Sequence, residues 1–247
     1  MLNNYRPYFI CSVLFFLSEA IPALYLLKAV ALVPFLLELH KSINLKQQLI
    51  GALVILCGWS LALLLSKEPS GYPLLNGLAL ALFLVSRKSL GIQRSYLAFI
   101  FFWLSAEALP YSFYFLEGWS YSYGEALFEL NYLGNWLSIT GFLGGSFWLL
   151  LLNLIAFRVM KKITQAIAWK TIIWSAVFFI LIGIAAPIVF SPPSTYSAFS
   201  EYPTFDRNLL APDLFLSRMS FFLAFFLILF LFVKHTLRNS KRDDRFT

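Results

Sequence analysis

Residues 49–65 read LIGALVILCGWSLALLL, an apolar run that contains no charged side chain. A helix needs about 20 mostly apolar residues to cross a bilayer core, and shorter helices cross where neighbours shield them. The whole chain has this character, because 60% of its 247 residues are hydrophobic and only 13% are charged. Soluble domains carry about 25% charged residues. This composition excludes an ordinary soluble enzyme, a disordered chain and a disulfide scaffold, and it predicts an integral membrane protein.

Apolar runs along the chain predict an all-α bundle of about eight transmembrane helices, formed by residues 1–247 as a single polytopic domain. The first two runs are short and meet near Pro22 and Lys28, so one long kinked span is an alternative to two helices. The predicted spans are Tyr8–Leu24, Tyr25–Leu39, Leu49–Leu65, Tyr72–Val85, Tyr96–Phe115, Ile139–Phe157, Trp169–Phe190 and Leu214–Val233.

Basic residues predict the orientation, since Lys and Arg near the ends of spans remain on the cytoplasmic side. With eight spans and an internal N-terminus, most of the 19 Lys and Arg residues fall on cytoplasmic segments, including the tail 234–247. Lys28, Lys67 and Arg207 fall on the outer side. Both termini are therefore predicted to be cytoplasmic. The net charge of +7 comes from basic residues spread over short stretches at one membrane face. Topology and contact with anionic lipid headgroups explain such charges, so we expect no nucleic acid as a partner.

Two predicted outer loops, at about residues 116–138 and 191–213, separate these spans. The first contains Tyr121, Tyr123 and Trp136, and aromatic residues at headgroup depth usually anchor a protein in the membrane. A structured lip around a lipid-accessible opening is the alternative interpretation. The second loop is far too short to form a folded catalytic domain.

The two cysteines, Cys11 and Cys57, both lie inside predicted apolar spans, where we expect them to be small core residues. Neither has the spacing of a metal site or the nearby partners of a catalytic nucleophile. The sequence therefore predicts no metal site and no cofactor.

Glu107 is the clearest polar residue within a predicted span. An acid at the centre of a membrane helix costs about 2.5–3.5 kcal/mol on insertion scales, which makes it a functional candidate by default. Trp103 lies four residues earlier and so shares its helix face. Arg218 is at a depth that allows an ion pair to Glu107 or Glu19. Two interpretations stay open: a buried pair that locks helices together, or a group that holds a lipid headgroup or a substrate amine in a cavity.

The predicted sixth span begins with the small residues Gly141, Gly144 and Gly145 and continues through Trp148 to Asn153. Small residues at three- and four-residue spacing allow helix backbones to approach closely. Asn153 lies mid-span and must find a hydrogen-bond partner inside the bundle, because lipid offers none.

Together these segments resemble the membrane domain of the apolipoprotein N-acyltransferase family. The run from Trp103 to Glu107 is similar to the W-x-x-x-E stretch of the family's fifth span. Residues 130–135 (LNYLGN) resemble an outer-loop element that ends in L-G-N. Residues 140–148 (TGFLGGSFW), with Asn153 following, resemble the entry to its sixth span, T-G-x-L-G-G-x-x-W-x-x-x-x-N. Residues 213–220 (DLFLSRMS) look like the D-Y-x-x-R-x-S start of its last helix.

The chain departs from that family at the catalytic domain. In the family, a nitrilase-like domain between the seventh and eighth spans supplies a Glu, Lys and Cys triad. Here the interval 191–213 contains Glu201 but neither Lys nor Cys. No catalytic residue can be carried over, so we do not expect enzymatic activity from the chain on its own.

The resemblance implies a pseudoenzyme in the bacterial inner membrane: a noncatalytic platform that binds outer-leaflet phospholipid, a lipoprotein or a separate protein on the periplasmic side. One alternative is the membrane subunit of a split lipoprotein N-acyltransferase whose nitrilase-like chain is separate. Another is a small transporter that uses Glu107 as a proton relay. The candidate binding residues are Trp103, Glu107, Trp136, Gly141, Gly144, Gly145, Trp148, Asn153 and Arg218.

Overall fold

The computed structural model describes residues 5–41, 44–66, 71–113, 121–124, 131–164, 177, 216, 218–220 and 222–231. Helices make up 91% of these residues and no strand occurs among them, which confirms the all-α class. In chain order the elements are α1 (Arg6–Ala20), a 3-10 helix (Pro22–Ala29), α2 (Val33–Lys41), α3 (Leu45–Leu65), α4 (Tyr72–Leu90), α5 (Ile92–Ser112) and α6 (Asn131–Thr164).

Among the described residues, three helices are long and apolar enough to cross a membrane, namely Ala23–Lys41, Leu45–Leu65 and Gly141–Ile163. Shorter apolar helices cover Tyr72–Arg87 and Arg218–Leu231. The arrangement of eight spans stays a prediction. The second outer loop, the tail 234–247 and the span Trp169–Phe190 except Val177 lie outside the described residues.

The chain doubles back between α1 and α2. The ring of Tyr8 meets that of Phe35 at 6.0 Å, and the backbone N–H of Phe35 donates to Sγ of Cys11 over 3.2 Å. These contacts join the first turns of α1 to the middle of α2, so the two helices run antiparallel. The structure thus contains two separate helices, and the alternative of one long kinked span is wrong.

The boundary between α1 and the 3-10 helix falls at Ile21, earlier than the sequence predicted. Ile21 has an extended backbone, with φ −127° and ψ 104°. A proline disfavours the helical conformation of the residue before it, and Pro22 follows directly. Lys28 therefore lies inside the 3-10 helix, where its side chain is buried. Its place on the outer side of the membrane stays a prediction.

Backbone breaks at glycines separate the later elements. Gly91 connects α4 to α5 at φ 79°, and Gly141 interrupts α6 at φ 71°. Residues with a Cβ rarely adopt positive φ, so both positions suit glycine. The apolar helix of α6 that could cross a membrane therefore begins at Gly141, two residues after the predicted start at Ile139.

Aromatic side chains fill the centre of the bundle. The Trp59 ring of α3 stacks on Phe15 of α1, with ring centroids 4.5 Å apart, and on Trp103 of α5, at 5.9 Å. Tyr72 of α4 meets Trp59 edge to face at 5.1 Å. Aromatic pairs at these spacings add to the stability gained from burial alone. This aromatic core brings α1, α3, α4 and α5 together around the polar residues described next.

Two expectations about burial are wrong. Cys57 is exposed on the side of α3 that faces away from the bundle, as are Leu53 and Leu61. A helix in a membrane can be apolar on every side. Tyr121 and Tyr123 are buried inside the bundle and do not anchor it at headgroup depth.

Candidate functional site

A group of polar side chains lies buried among the aromatic residues. We call it the polar cluster, and it joins α1, the 3-10 helix, α3, α4, α5, α6 and the short segment 121–124. Its members are Glu19, Lys28, Trp59, Tyr72, Trp103, Glu107, Tyr121, Ser122, Tyr123, Ser146 and Asn153.

Glu19 and Lys28 form a buried ion pair in this cluster. The Nζ atom of Lys28 lies 2.7 Å from Oε1 of Glu19, with side-chain exposures of 0% and 3%. Trp59 donates its indole N–H to the same oxygen over 2.7 Å, and the Tyr121 hydroxyl donates to Oε2 over 2.9 Å. Lys28 also donates to the Tyr121 hydroxyl over 3.2 Å and lies 5.7 Å from the centroid of the Tyr123 ring. A buried ion pair is stable only when further hydrogen bonds satisfy both charges, and this one has them.

Glu107 is the second buried acid, and neutral donors surround it. Its Oε1 atom accepts hydrogen bonds from the Tyr72 hydroxyl (2.6 Å), the Trp103 indole N–H (2.7 Å) and the backbone N–H of Tyr123 (3.1 Å). The Ser122 hydroxyl lies 3.3 Å from Oε2. The contact between Trp103 and Glu107 confirms that these residues share a helix face. With 0% exposure, the carboxyl group is held by protein groups.

Both acids hold the same segment of chain between α5 and α6. Glu19 accepts from Tyr121, while Glu107 accepts from Tyr123 and has Ser122 beside it. All four residues 121–124 are buried. Loops normally run over the surface because their backbone polar groups need water, so a buried connecting segment requires partners of this kind.

The first turns of α6 after Gly141 also contact this segment. The Ser146 hydroxyl accepts from the backbone N–H of Gly124 over 2.8 Å and lies 2.8 Å from the Ser122 hydroxyl. A Cβ on Gly124 would lie 2.6 Å from the backbone N of Ser146 and 2.7 Å from the carbonyl carbon of Gly145. Two backbones approach so closely here that residue 124 has to be glycine.

Asn153 satisfies the backbone at the break between the 3-10 helix and α2. Its Oδ1 atom accepts from the backbone N–H of Leu32 over 2.8 Å, and its Nδ2 atom donates to the carbonyl oxygen of Lys28 over 2.7 Å and to that of Leu149 over 2.9 Å. The Tyr123 hydroxyl donates to the same Lys28 carbonyl. The prediction that Asn153 finds partners inside the bundle is therefore confirmed.

The candidate residues from the sequence divide into groups. Trp103, Glu107 and Asn153 meet in the polar cluster. Trp148 is buried in α6, and Gly141, Gly144 and Gly145 lie on the stretch of α6 that faces residues 121–124 or leads into it. Arg218 has an exposed side chain and pairs with neither Glu107 nor Glu19. The side chain of Trp136 lies outside the described residues.

Lys28 is the cluster member that sequence reasoning missed most clearly. A lysine inside an apolar stretch, close in sequence to Glu19, indicates a paired intramembrane charge. Trp59, Tyr72 and Ser146 carried no comparable signal, because isolated polar or aromatic residues are common in membrane helices.

Neither cysteine hydrogen-bonds to Glu19 or Glu107. Cys11 is buried and accepts from the backbone of α2, and Cys57 is on the outer surface of α3. Within the part of the chain that the structure describes, no three His, Cys, Asp or Glu side chains come together as metal ligands would. The arrangement is suited to holding helices and a loop segment in fixed positions.

No protein-family model, curated protein or solved structure matches this chain. The geometry of the polar cluster is therefore the main basis for a functional proposal.

Proposed function

We propose that this chain is a noncatalytic membrane platform that binds phospholipid, a lipoprotein or a partner protein beside the segment 121–124. The observation that supports the proposal is that two buried acids, Glu19 and Glu107, bind this one segment. In this proposal the acids act as positioning residues, and the ligand contacts the surface that they hold in shape.

The free-energy cost of burying two acids in this cluster argues for such a role. Burial of an acid in a membrane protein is expensive, and residues of this kind usually mark a functional region. Here this free-energy cost is offset by donors from four elements, the 3-10 helix, α3, α4 and α5, and from residues 121–123. These contacts hold residues 121–124 in a defined position inside the bundle.

The resemblance to the apolipoprotein N-acyltransferase membrane domain suggests the ligand class and the location. We propose the bacterial inner membrane as the location, with the polar cluster toward its outer side. Acyl transfer through a thioester needs an accessible and activated thiolate. Cys11 is buried and accepts from the backbone N–H of Phe35, and Cys57 lies on the exposed side of α3.

The first experiment compares the wild type with Glu107→Ala and Glu107→Gln. Each protein is reconstituted in vesicles of phosphatidylethanolamine and phosphatidylglycerol, extracted in mild detergent and analysed by mass spectrometry for retained lipid. Alanine leaves the donors of Tyr72, Trp103 and Tyr123 without an acceptor, whereas glutamine keeps one oxygen for them. We expect Glu107→Ala to lose most of the retained lipid and to expose Tyr121 and Tyr123 to chymotrypsin, and Glu107→Gln to change both much less.

The matched control is Arg94→Gln, which removes an exposed charge near the start of α5, whereas Glu107 is near the end of that helix, and should change neither result. Cleavage of Glu107→Ala at residues 121–124 with undiminished lipid retention would contradict the platform.

The second experiment tests the enzyme alternative. The purified chain is incubated with phosphatidylethanolamine and a diacylated lipopeptide that has a free amine. We expect no acyl transfer by the chain alone. Transfer by the chain would refute the noncatalytic proposal, and transfer only after coexpression with a nitrilase-like protein would favour the split acyltransferase.

A further inference from the structure

Helices α1 and α3 pack against each other and run in the same direction. The Tyr8 ring of α1 lies so close to Gly51 of α3 that a Cβ on the glycine would overlap it. About two turns further along both helices, the Phe15 ring stacks on Trp59 with centroids 4.5 Å apart. These contacts are on the buried sides of both helices, so their opposite sides lie next to each other on the outside of the bundle.

Each of these two helices has an exposed basic residue in its first turn. Arg6 begins α1, Lys46 is the second residue of α3, and both side chains are exposed. Because Tyr8 lies level with Gly51, the backbones of the two bases differ in height by about one helical turn. Lys and Arg have long side chains that extend along apolar surface toward water. Both charges can therefore reach one group held between the two helix ends.

Few acids lie near these two bases. The helix α3 contains no acidic residue, and Glu19, the one acid of α1, is buried near the opposite end of that helix. Glu38 of α2 is partly buried, and Lys41 three residues later carries the opposite charge. The bases of α1 and α3 therefore give this side of the bundle a positive charge, which is complementary to a negatively charged ligand.

Exposed apolar side chains continue from the two bases along both helices. Residues three, four and seven positions after a helical residue share its face. Counted from Arg6 and from Lys46, all of these positions are apolar and exposed. We call this surface the α1–α3 strip. Its members are Phe9, Ile10 and Val13 on α1 and Leu49, Ile50, Leu53, Cys57 and Leu61 on α3.

The α1–α3 strip has about the depth of one membrane leaflet. A helix rises about 1.5 Å per residue, so Leu49 and Leu61 are about 18 Å apart along the axis of α3. One leaflet contributes about 15 Å to the hydrocarbon core, which is half of the total of about 30 Å. The strip and its two bases thus combine positive charge at headgroup level with an apolar surface long enough for an acyl chain.

We propose that an anionic phospholipid binds along the α1–α3 strip, with its phosphate between Arg6 and Lys46 and an acyl chain on the apolar residues that follow them. Guanidinium and ammonium groups form charge-assisted hydrogen bonds with phosphate oxygens. Basic sites between membrane helices commonly take lipid headgroups. A zwitterionic headgroup binds more weakly, because its own amine competes with the two bases for the phosphate. The site lies outside the bundle, at the opposite end from the polar cluster, and does not depend on the platform function.

Native mass spectrometry of the full chain in neutral detergent tests the proposal. The probes are phosphatidylglycerol and, as the zwitterionic control, phosphatidylethanolamine with the same acyl chains. We expect the wild type to bind phosphatidylglycerol more tightly. Arg6→Gln and Lys46→Gln should each weaken this binding about fivefold, which is the usual contribution of one basic residue at an anionic surface. The affinity for phosphatidylethanolamine should change much less.

Two controls separate this binding from folding and from the overall charge of the protein. Arg6 and Lys46 are exposed, so both variants should keep the thermal midpoint of the wild type in the absence of lipid. The matched control is Arg94→Gln, which removes an exposed base from α5, outside the α1–α3 strip. It should leave the affinity for phosphatidylglycerol within about twofold of the wild type.

Cys57 reports on the position of the lipid, because its exposed thiol belongs to the α1–α3 strip. In mild detergent, phosphatidylglycerol should slow the reaction of this thiol with N-ethylmaleimide several-fold in the wild type. The same amount of phosphatidylethanolamine should slow it much less. The double variant Arg6→Gln with Lys46→Gln should lose most of the protection by phosphatidylglycerol.

Three binding results would overturn the proposal. The wild type could bind the two phospholipids equally or not at all, the double variant could bind phosphatidylglycerol as tightly as the wild type, or Arg94→Gln could weaken binding as much as Lys46→Gln. Protection of Cys57 that persists in the double variant would also overturn it, because lipid would then cover α3 without the two bases.

Discussion

The Nζ atom of Lys28 lies 2.7 Å from Oε1 of Glu19, and this ion pair joins the end of α1 to the 3-10 helix that follows it. The pair is buried, and Trp59 and Tyr121 hold the carboxylate from α3 and from the segment 121–124. One interaction thus fixes both the turn after α1 and the position of a distant loop segment.

Removal of the lysine alone should destabilise the protein strongly. Lys28→Met leaves the Glu19 carboxylate buried without its cation, and the loss of one partner from a buried pair costs about 3–5 kcal/mol. The double variant Glu19→Gln with Lys28→Met removes both charges and should recover a large part of this loss. Thermal unfolding in detergent micelles, followed by tryptophan fluorescence, measures both. A double variant no more stable than Lys28→Met would show that the charge of Glu19 is not the cause.

Replacement of Asn153 should loosen the break between the 3-10 helix and α2. Asn153→Leu fills a similar volume but leaves the backbone N–H of Leu32 without its acceptor and removes a donor to the Lys28 carbonyl. Unsatisfied buried groups of this kind cost about 1–3 kcal/mol. Hydrogen exchange of the Leu32 amide should accelerate more than that of amides in α4. Equal acceleration in both regions would indicate a global loss of stability and would contradict a local role for Asn153.

A methyl group on Gly124 should expel the segment 121–124 from the bundle. Its Cβ would lie under 3.0 Å from backbone atoms of α6, which cannot move as a flexible side chain can. Overpacking of this kind costs about 1–3 kcal/mol or more. Gly91→Ala is the control, because it strains a positive φ in open space far from this segment. Chymotrypsin should cut Gly124→Ala near Tyr121 and Tyr123 while Gly91→Ala resists cleavage there.

The two cysteines should differ in their reaction with N-ethylmaleimide. Cys57 is exposed on α3, while Cys11 is 0% exposed and packed against α2. In mild detergent we expect one thiol to react quickly, and Cys57→Ala should abolish this reaction. Both thiols should react after denaturation in sodium dodecyl sulfate. Rapid labelling of Cys11 in the folded protein would contradict the packing of α1 against α2.

Some of the polar cluster could be predicted because its signal is local. Trp103 and Glu107 are four residues apart on one helix, so helical geometry alone brings their side chains together. Asn153 needed a partner because it lies within an apolar helix. The choice of that partner depends on which helix packs against α6, and no local pattern contains that information.

The partners of the two acids could not be predicted, because side chains from distant segments compete for them. The sequence leaves Arg218 open as a cation for Glu19 or Glu107, whereas in the structure Lys28 pairs with Glu19 and neutral donors surround Glu107. Tyr121 and Tyr123 are of the residue type that usually anchors a protein at the membrane surface. They are core residues here because they contact α1, α5 and the 3-10 helix.

The sequence by itself determined that this chain is helical and suited to lipid. Apolar side chains have to avoid water, and this requirement is visible in the high hydrophobic fraction and in the length of the apolar runs. Only the tertiary structure decided that Glu19 pairs with Lys28, that Glu107 is satisfied by neutral donors, and that residues 121–124 enter the bundle. Hydrogen bonds and ion pairs act over about 3 Å, so their partners depend on which helices become neighbours.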